Sequence, residues 1–349
     1  VRSTEYARRS RWSRPPGRGT PTCADGISLN EIFTLVLPLV LPVVVGWALV
    51  QGRLAEPKDA KALTTVFLGV CAPAELIHTM AAEDLDELFD PRLVLGTVVG
   101  FAVVYAAVFV VYELVLHRGR PIAAYAAFSA SGINALAIGL PVMLGLFGSV
   151  GAVPSVVATV VFLCAVVPVT LALAATPTGE DGAPASRGAA FGAAVVATAK
   201  NQIVAATVVG LVLAALDVSL PTVVNRSLAG LGAATVVTAL VALGMTVDLD
   251  DLRHASADVV WLSVIRMVLA PAFALGLALV LGMSDVFSAA FVIIFAQPTA
   301  KTVFVLSEDS GIFTRPVSAI VTLTTVSTLV LLPVWILICD RVWPTAFTG

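Results

Sequence analysis

Charged residues are scarce in this sequence. Asp, Glu, Lys and Arg make up 12% of its 349 residues, whereas 58% are hydrophobic and the mean hydropathy is +0.99. A soluble globular protein has about twice that share of charged residues. We therefore expect most of the chain to lie in a lipid bilayer. The net charge of -3 is too small to indicate a nucleic-acid partner.

Residues typical of metal, redox and catalytic sites are also few. The four cysteines are scattered at positions 23, 71, 164 and 339, without a CxxC or Cys/His spacing, and there are three histidines. The sequence has no HExxH motif, no nucleotide-binding glycine loop and no Ser/His nucleophile arrangement. We expect neither a metal nor another cofactor, and the pattern does not favour an enzyme.

Long apolar stretches dominate what remains. A helix that crosses a bilayer needs roughly 20 apolar residues, and ten stretches meet that requirement. The predicted membrane helices are 29–50, 62–82, 92–115, 121–147, 151–175, 192–216, 227–247, 257–282, 285–307 and 314–338. The sequence thus predicts an all-α polytopic membrane protein.

A short acidic pattern occurs twice, at 84–88 (DLDEL) and 248–252 (DLDDL), with an offset of 164 residues. The same offset relates helices 3 and 4 to helices 8 and 9. We infer two five-helix repeats, and an odd number of spans makes the second repeat inverted relative to the first. The predicted divisions are a disordered basic tail at 1–27, repeats at 28–176 and 191–340, a linker at 177–190 and a C-terminal tail at 341–349.

The orientation follows from the short loops. Lys and Arg concentrate in the loops after helices 1, 3, 5, 7 and 9, and such residues favour the cytoplasmic side. This pattern predicts a protein of the plasma (inner) membrane with both termini outside. The six arginines of the N-terminal tail argue for the opposite orientation.

Helices 4 and 9 are each interrupted in the middle. Gly132, Asn134, Gly139 and Pro141 interrupt helix 4, and residues 297–302 (QPTAKT) interrupt helix 9. A break at mid-membrane exposes N–H groups that carry about half a positive charge at each half-helix N-terminus. Interrupted helices at matching places in two halves are typical of the binding site of a secondary transporter.

The interrupted segments resemble those of the auxin efflux carrier family. Asn134 is followed by Gly139-Leu-Pro141 and then Phe147-Gly148, as in the fourth helix of that family. Its ninth helix is similar to Pro298-Thr-Ala-Lys301-Thr302 and the stretch that ends at Gly311. The stretch 240–245 and the pair Arg266 and Pro271 also look like family positions, and the resemblance covers residues 29–338. Lys301 and Thr302 depart from the family pattern, which usually has an apolar residue and often Asn there.

The resemblance implies a particular fold and activity. The fold is the inverted five-plus-five arrangement of sodium/proton antiporters and bile-acid symporters, in which helices 4 and 9 cross at their breaks. The activity is the transport of small carboxylates. Homodimers are common in this fold, although no residue in the sequence indicates one.

Eight residues are the candidate substrate ligands: Gly132, Asn134, Gly139, Pro141, Gln297, Pro298, Lys301 and Thr302. Asn134 could donate to a carboxylate, coordinate a cation or join two helices. A lysine at membrane depth costs roughly 3 kcal/mol and needs a partner or a task. Lys301 could therefore pair with a substrate carboxylate, replace a sodium ion or reach to the interface.

Three further residues are candidates for coupling or access. Glu75 and His78 share a face of helix 2 and could form a proton relay, an interfacial pair or, for Glu75, a charge partner of Lys301 or Arg266. Arg266 lies mid-way along helix 8, where it could guard the cytoplasmic entrance or reach to the membrane surface.

We expect a secondary transporter that exports small organic anions by an elevator or rocking motion. Its predicted partners are a small carboxylate and the lipid bilayer. The alternative is a sodium- or proton-coupled symporter or antiporter of the same fold. Such an antiporter is expected to hold carboxylates at the crossing, whereas the breaks carry Lys301 and no Asp or Glu.

Overall fold

In the computed structural model of this chain, the described residues are 29–81, 90–174, 202–216, 218, 220–245 and 256–347. The basic tail, both acidic repeats and the predicted linker lie outside these ranges. The described residues form helices and no β-strand. Residues 82–89, 175–201 and 246–255 fall between them.

Ten helical segments follow one another along the described residues, and two of them are broken. They are α1 (Leu29–Gln51), α2 (Pro57–Met80), α3 (Pro91–Val115), α4a (Arg120–Ser131), α4b (Ala135–Phe147), α5 (Ala152–Ala174), α6 (Gln202–Ala215), α7 (Thr222–Met245), α8 (Ala257–Leu281), α9a (Asp285–Phe295), α9b (Lys301–Ser310) and α10 (Thr314–Val342). Where a predicted end falls in a described region, the observed end differs from it by at most five residues.

Six of these helices are long and apolar enough to cross a membrane, namely α2, α3, α5, α7, α8 and α10. Shorter apolar stretches lie in α1, α4b, α6 and α9a. The lengths match a bilayer core of about 30 Å at 1.5 Å per residue. A multi-pass membrane protein is therefore supported by the described part of the chain.

Local sequence signals account for several of the helix ends. Asp90 caps α3 by accepting a hydrogen bond from the Arg92 amide at 2.8 Å, and Ser284 caps α9a at the Phe287 amide. Gly282 and Gly311 end α8 and α9b in the left-handed conformation. Gly282 and Ser284 bound the short loop before α9, and Gly311 begins the short loop after it.

The helices pack in two groups. In the first group, α1 lies along α7, and α2 lies along α6 and α7. The second group contains α3, α4 and α5 packed in sequence, and α8, α9 and α10 packed in sequence, with α3 against α8. The groups meet where α7 packs on α4b, where α1 packs on α10 and where α6 packs on α5.

Small residues allow the closest contact in the first group. A Cβ atom added at Gly46 of α1 would overlap the Val241 carbonyl of α7, and one added at Gly244 would overlap the Val43 carbonyl. Close backbone approach of this kind is a common way for helices to associate in lipid. The α1–α7 pair is thereby a tightly packed unit.

The core of the second group surrounds the two breaks. Residues 123–133 and 287–300 are all buried. Phenylalanine rings link the surrounding helices, with ring centroids 5.4 Å apart for Phe101 and Phe295 and 5.5 Å apart for Phe128 and Phe162. These contacts join α3, α4a, α5 and α9a, so the breaks are held inside protein rather than against lipid.

We predict that Gly46→Ala destabilises the protein by about 2 kcal/mol, because the added methyl group forces α1 and α7 apart. The control is Gly276→Ala on α8, where an added Cβ meets nothing within 4 Å. The measurement is the melting temperature in detergent. Equal melting temperatures for the two variants would contradict the packing described for α1 and α7.

Candidate functional site

The break in α4 begins where the helix leaves its helical dihedrals at Gly132. Gly132 has φ -71° and ψ 100°, and Asn134 has φ -83° and ψ 65°. The Asn134 side chain caps α4b by accepting a hydrogen bond from the Ala137 amide at 3.1 Å. The first turn of α4b is widened, because the Gly139 N–H donates to the Asn134 carbonyl at 2.9 Å.

The break in α9 contains Gln297, Pro298 and Thr299, and Ala300 stands in extended conformation before α9b. Proline cannot donate a backbone hydrogen bond, so the helical ladder cannot continue through it. The N–H of Ala300 and the carbonyl of Pro298 are thus free to bond elsewhere.

The two breaks bond to each other in the middle of the core. Ile133 and Thr299 form an antiparallel bridge, in which the Asn134 N–H donates to the Pro298 carbonyl at 2.8 Å and the Ala300 N–H donates to the Gly132 carbonyl at 2.9 Å. Two interrupted helices therefore satisfy each other's backbone groups. Because of these hydrogen bonds, the predicted site residues of α4 and α9 lie close together.

The antiparallel register determines which helix ends are neighbours. With Ile133 opposite Thr299, Ser131 is opposite Lys301 and Ala135 is opposite Gln297. The start of α9b thus lies beside the end of α4a, and the start of α4b lies beside the end of α9a.

Close approach at the crossing leaves no free space for a Cβ atom at two glycines. A Cβ added at Gly132 would lie 2.6 Å from Val303 Cγ2, and one added at Gly139 would lie 2.8 Å from Ile294 Cδ1. Both distances are shorter than side chains tolerate. The predicted glycines therefore permit the backbones to meet.

Side chains complete the hydrogen bonding of the break in α9. The Thr299 hydroxyl donates to the Ser129 carbonyl at 2.9 Å, and the Thr299 N–H donates to the Thr324 hydroxyl at 3.1 Å. These bonds connect α9 to α4a and α10. Thr299 and Thr324 are not among the predicted ligands, although a threonine within a predicted break is a usable signal for such a hydrogen bond.

Arg266 supplies the partners for the carbonyl ends. Its Nη1 donates to the carbonyls of Ala130 and Ser131, each at 3.2 Å, and its Nη2 donates to the carbonyl of Phe295. The side chain is 0% exposed. The structure thus places Arg266 at the crossing, where these three carbonyls provide acceptors that an apolar helix surface lacks.

The N–H ends contrast with the carbonyl ends. At the start of α9b, no partner is found among the described residues for the N–H groups of Lys301 and Thr302. Ala300, which precedes them, gives no side-chain cap. At the start of α4b, Asn134 caps one donor, and its own amide Nδ2 has no partner in the described part of the chain. Donors therefore remain available at the crossing.

The other predicted ligands differ in exposure. The Lys301 and Thr302 side chains are exposed, and Asn134 is half-buried. Pro141, Gln297 and Pro298 are buried. Gln297 Nε2 donates to the Ile293 carbonyl at 3.1 Å, while its buried Oε1 has no partner among the described residues. Lys301, Thr302 and Asn134 are thus the accessible members of the set.

Glu75 and His78 lie away from this crossing, in contact with α7. His78 Nδ1 is 2.7 Å from Asn225 Oδ1. A Cβ added at Gly232 would lie 2.9 Å from Glu75 Cα. The structure therefore joins these two residues to the first helix group and not to Lys301 or Arg266.

The charge of the crossing is positive. Segments 120–147 and 286–307 contain no Asp or Glu. No group of three or more His, Cys, Asp or Glu side chains that could hold a metal ion occurs in the described residues. At the half-helix starts, N–H groups have no partner among the described residues, and neither Arg266 nor Lys301 has a carboxylate partner there. This arrangement is suited to an anion.

Comparison with known proteins identifies the family of this chain. The family described as membrane transport protein matches residues 31–187 and 191–336. An uncharacterized transporter of Methanothermobacter thermautotrophicus (strain Delta H) is 26% identical over 304 residues, which cover 86% of this chain and 96% of that protein.

We predict that Thr299→Val destabilises the protein by about 1 to 2 kcal/mol, since it leaves the buried Ser129 carbonyl without its donor while keeping the side-chain shape. Thr302→Val is the matched control, because it removes an exposed hydroxyl next to the same break. Melting temperatures without ligand test this. A Thr299→Val protein as stable as the control would argue against the hydrogen bond.

Proposed function

Because the chain belongs to the membrane transport protein family, we propose that it is a secondary transporter of small organic anions with a carboxylate group. Membrane transport itself rests on the family and on the related transporter. The choice of an anion rests on the crossing. The family also favours a carrier over an enzyme.

The proposal rests on a difference in hydrogen bonding between the carbonyl ends and the N–H ends of the half-helices. The carbonyls of Ala130, Ser131 and Phe295 are occupied by Arg266. The N–H groups of Lys301 and Thr302 have no partner in the described residues. A carboxylate supplies the acceptors that these donors lack.

The proposed binding mode follows from the register. The carboxylate binds at the start of α9b, where the Lys301 ammonium adds a full charge and the Thr302 hydroxyl can donate. Asn134, at the start of α4b, binds a second polar group of the substrate through its amide. Gly132, Gly139, Pro141, Gln297 and Pro298 shape the crossing.

The helix packing supports alternating access by an elevator or rocking motion. In the proposed ten-helix fold, α1–α5 and α6–α10 are inverted repeats, and the α1–α7 pair corresponds to the α6–α2 pair. An apolar crevice lies between the two groups, with Val43 and Leu240 on one side and Val142 and Leu332 on the other. Apolar surfaces can slide past each other without breaking hydrogen bonds.

The proposal includes a transport direction, a membrane and an assembly. The predicted orientation places both termini outside the plasma membrane, and the transporter exports its substrate. A homodimer, which is common in the fold implied by the resemblance, is the proposed assembly.

The alternative is a cation-coupled carrier, and Glu75 is the observation that favours it. Glu75 is half-buried in α2, beside Gly232 of α7, with His78 one turn further along. A movement of α2 and α7 would change the burial of this carboxyl group. It could therefore bind a proton in one state and release it in the other. Sodium coupling has weaker support, because the crossing carries cations and no carboxylate.

We predict that a carboxylate raises the melting temperature of the detergent-purified protein, since it binds only the folded form. The panel contains acetate, benzoate, malonate and succinate, each with and without sodium. Lys301→Ala should weaken binding by about ten- to a hundredfold, because it removes a charged hydrogen bond worth about 1.5 to 3 kcal/mol. Asn134→Ala should also weaken it.

Lys61→Ala is the control for Lys301→Ala, because Lys61 is an exposed lysine of α2 far along the chain from both breaks. It should leave binding unchanged. Unchanged binding in both Lys301→Ala and Asn134→Ala would refute the assigned site. A shift with sodium alone would favour the cation-coupled alternative.

For the alternative, we predict that Glu75→Gln abolishes the pH dependence of carboxylate flux into liposomes, because the amide cannot exchange a proton. Flux is measured across imposed pH gradients of either sign. Glu308→Gln on α9b is the control, since Glu308 is an exposed carboxylate outside the α2–α7 contact. A pH response that survives in Glu75→Gln would remove Glu75 from any coupling role.

A further inference from the structure

We propose that Arg266 is a positioning residue that sets the electrostatic sign of the crossing without touching the substrate. This inference rests on the proposed anion site. It assigns to α8, which contributes no substrate ligand, the control of the potential at the ends of α4 and α9.

The need for such a residue follows from the register of the bridge. The start of α9b is opposite Ser131, and the start of α4b is opposite Gln297. Each helix start carries about half a positive charge and each helix end about half a negative charge. Without a further charge, every open N–H end would be partly cancelled by the carbonyl end beside it.

Arg266 removes that cancellation. Its guanidinium bonds to carbonyls at the ends of both α4a and α9a, so one side chain neutralises both negative ends. The segments 120–147 and 286–307 contain no Asp or Glu to neutralise Arg266 in turn. The starts of α4b and α9b are left as the dominant partial charges.

The burial of Arg266 separates this role from substrate binding. None of its surface is exposed, and its two Nη atoms are engaged with backbone carbonyls. A solute at the start of α9b therefore meets the N–H groups of Lys301 and Thr302, while Arg266 acts on it through the field alone. The electrostatic interaction between two charges is stronger in a protein interior than in water.

The test reads the potential at the start of α9b with a cysteine. In Thr302→Cys, we compare the rates of modification by an anionic reagent, sulfonatoethyl methanethiosulfonate, and a cationic one, trimethylammonioethyl methanethiosulfonate. The ratio of the two rates cancels the reactivity of the thiol itself. Modification is measured in native membranes by peptide mass spectrometry, which identifies the labelled position.

We expect Arg266→Gln and Arg266→Met to lower the anionic-to-cationic ratio at position 302 by about tenfold or more, because each removes a unit charge. Arg266→Lys keeps the charge and should stay within about twofold of the parent ratio. The control is Ser310→Cys, an exposed position at the other end of α9b, where the ratio should change less. Cys71 and Cys339, both buried, should stay unlabelled in folded protein.

An unchanged ratio in a folded Arg266→Gln or Arg266→Met protein would overturn the proposal. If Cys339 is labelled in both neutral variants, these variants have unfolded. In that case, a tenfold fall of the anionic-to-cationic ratio in Arg266→Lys would overturn the proposal. The two reagents react with the cysteine whether or not a substrate site exists, so this test is independent of carboxylate binding. If the protein binds no carboxylate, the proposed function is refuted. If the anionic-to-cationic ratio still falls in Arg266→Gln, the role of Arg266 stands. A cysteine at 302 that neither reagent modifies would refute the open anion site itself.

Discussion

Inside a membrane, every backbone N–H and C=O group needs a hydrogen-bond partner within the protein. A helix that stops in the middle of a bilayer leaves N–H and C=O groups that no lipid can satisfy, and each such group costs several kcal/mol. Two breaks that bond to each other reduce this cost. The bridge between Ile133 and Thr299 is that solution here, and the buried segments around it follow from the need to exclude lipid.

The same constraint explains why the crossing has an electrical direction. Carbonyl groups can accept from a side chain on a neighbouring helix, and Arg266 reaches three of them. N–H groups would need a buried acceptor, and the segments that cross contain no Asp or Glu. The unequal supply of donors and acceptors leaves the site open to an anion. This asymmetry connects the fold to the proposed transport of a carboxylate.

Much of this arrangement could be predicted from the sequence. The apolar stretches gave the helices, and the Gly and Pro residues gave the two breaks, because their backbone preferences are local properties. The partners of the breaks were not predictable in the same way. That Thr299 bonds to Ser129 and Thr324, or that Arg266 turns inward, depends on the register of helices far apart in the chain. An arginine in the middle of an apolar helix indicates a task, but the sequence does not tell where its side chain points.

The hydrogen bond between Thr299 and Ser129 also has a consequence for biogenesis, since these residues are 170 positions apart. Ribosomes add about 5 to 20 residues per second, so α4 is made roughly ten to thirty seconds before α9. During that time the broken helix has left the ribosome without the partners that complete its backbone. The first half of the chain therefore cannot reach its final structure alone, and insertion machinery or water must accommodate the open break until the second half arrives.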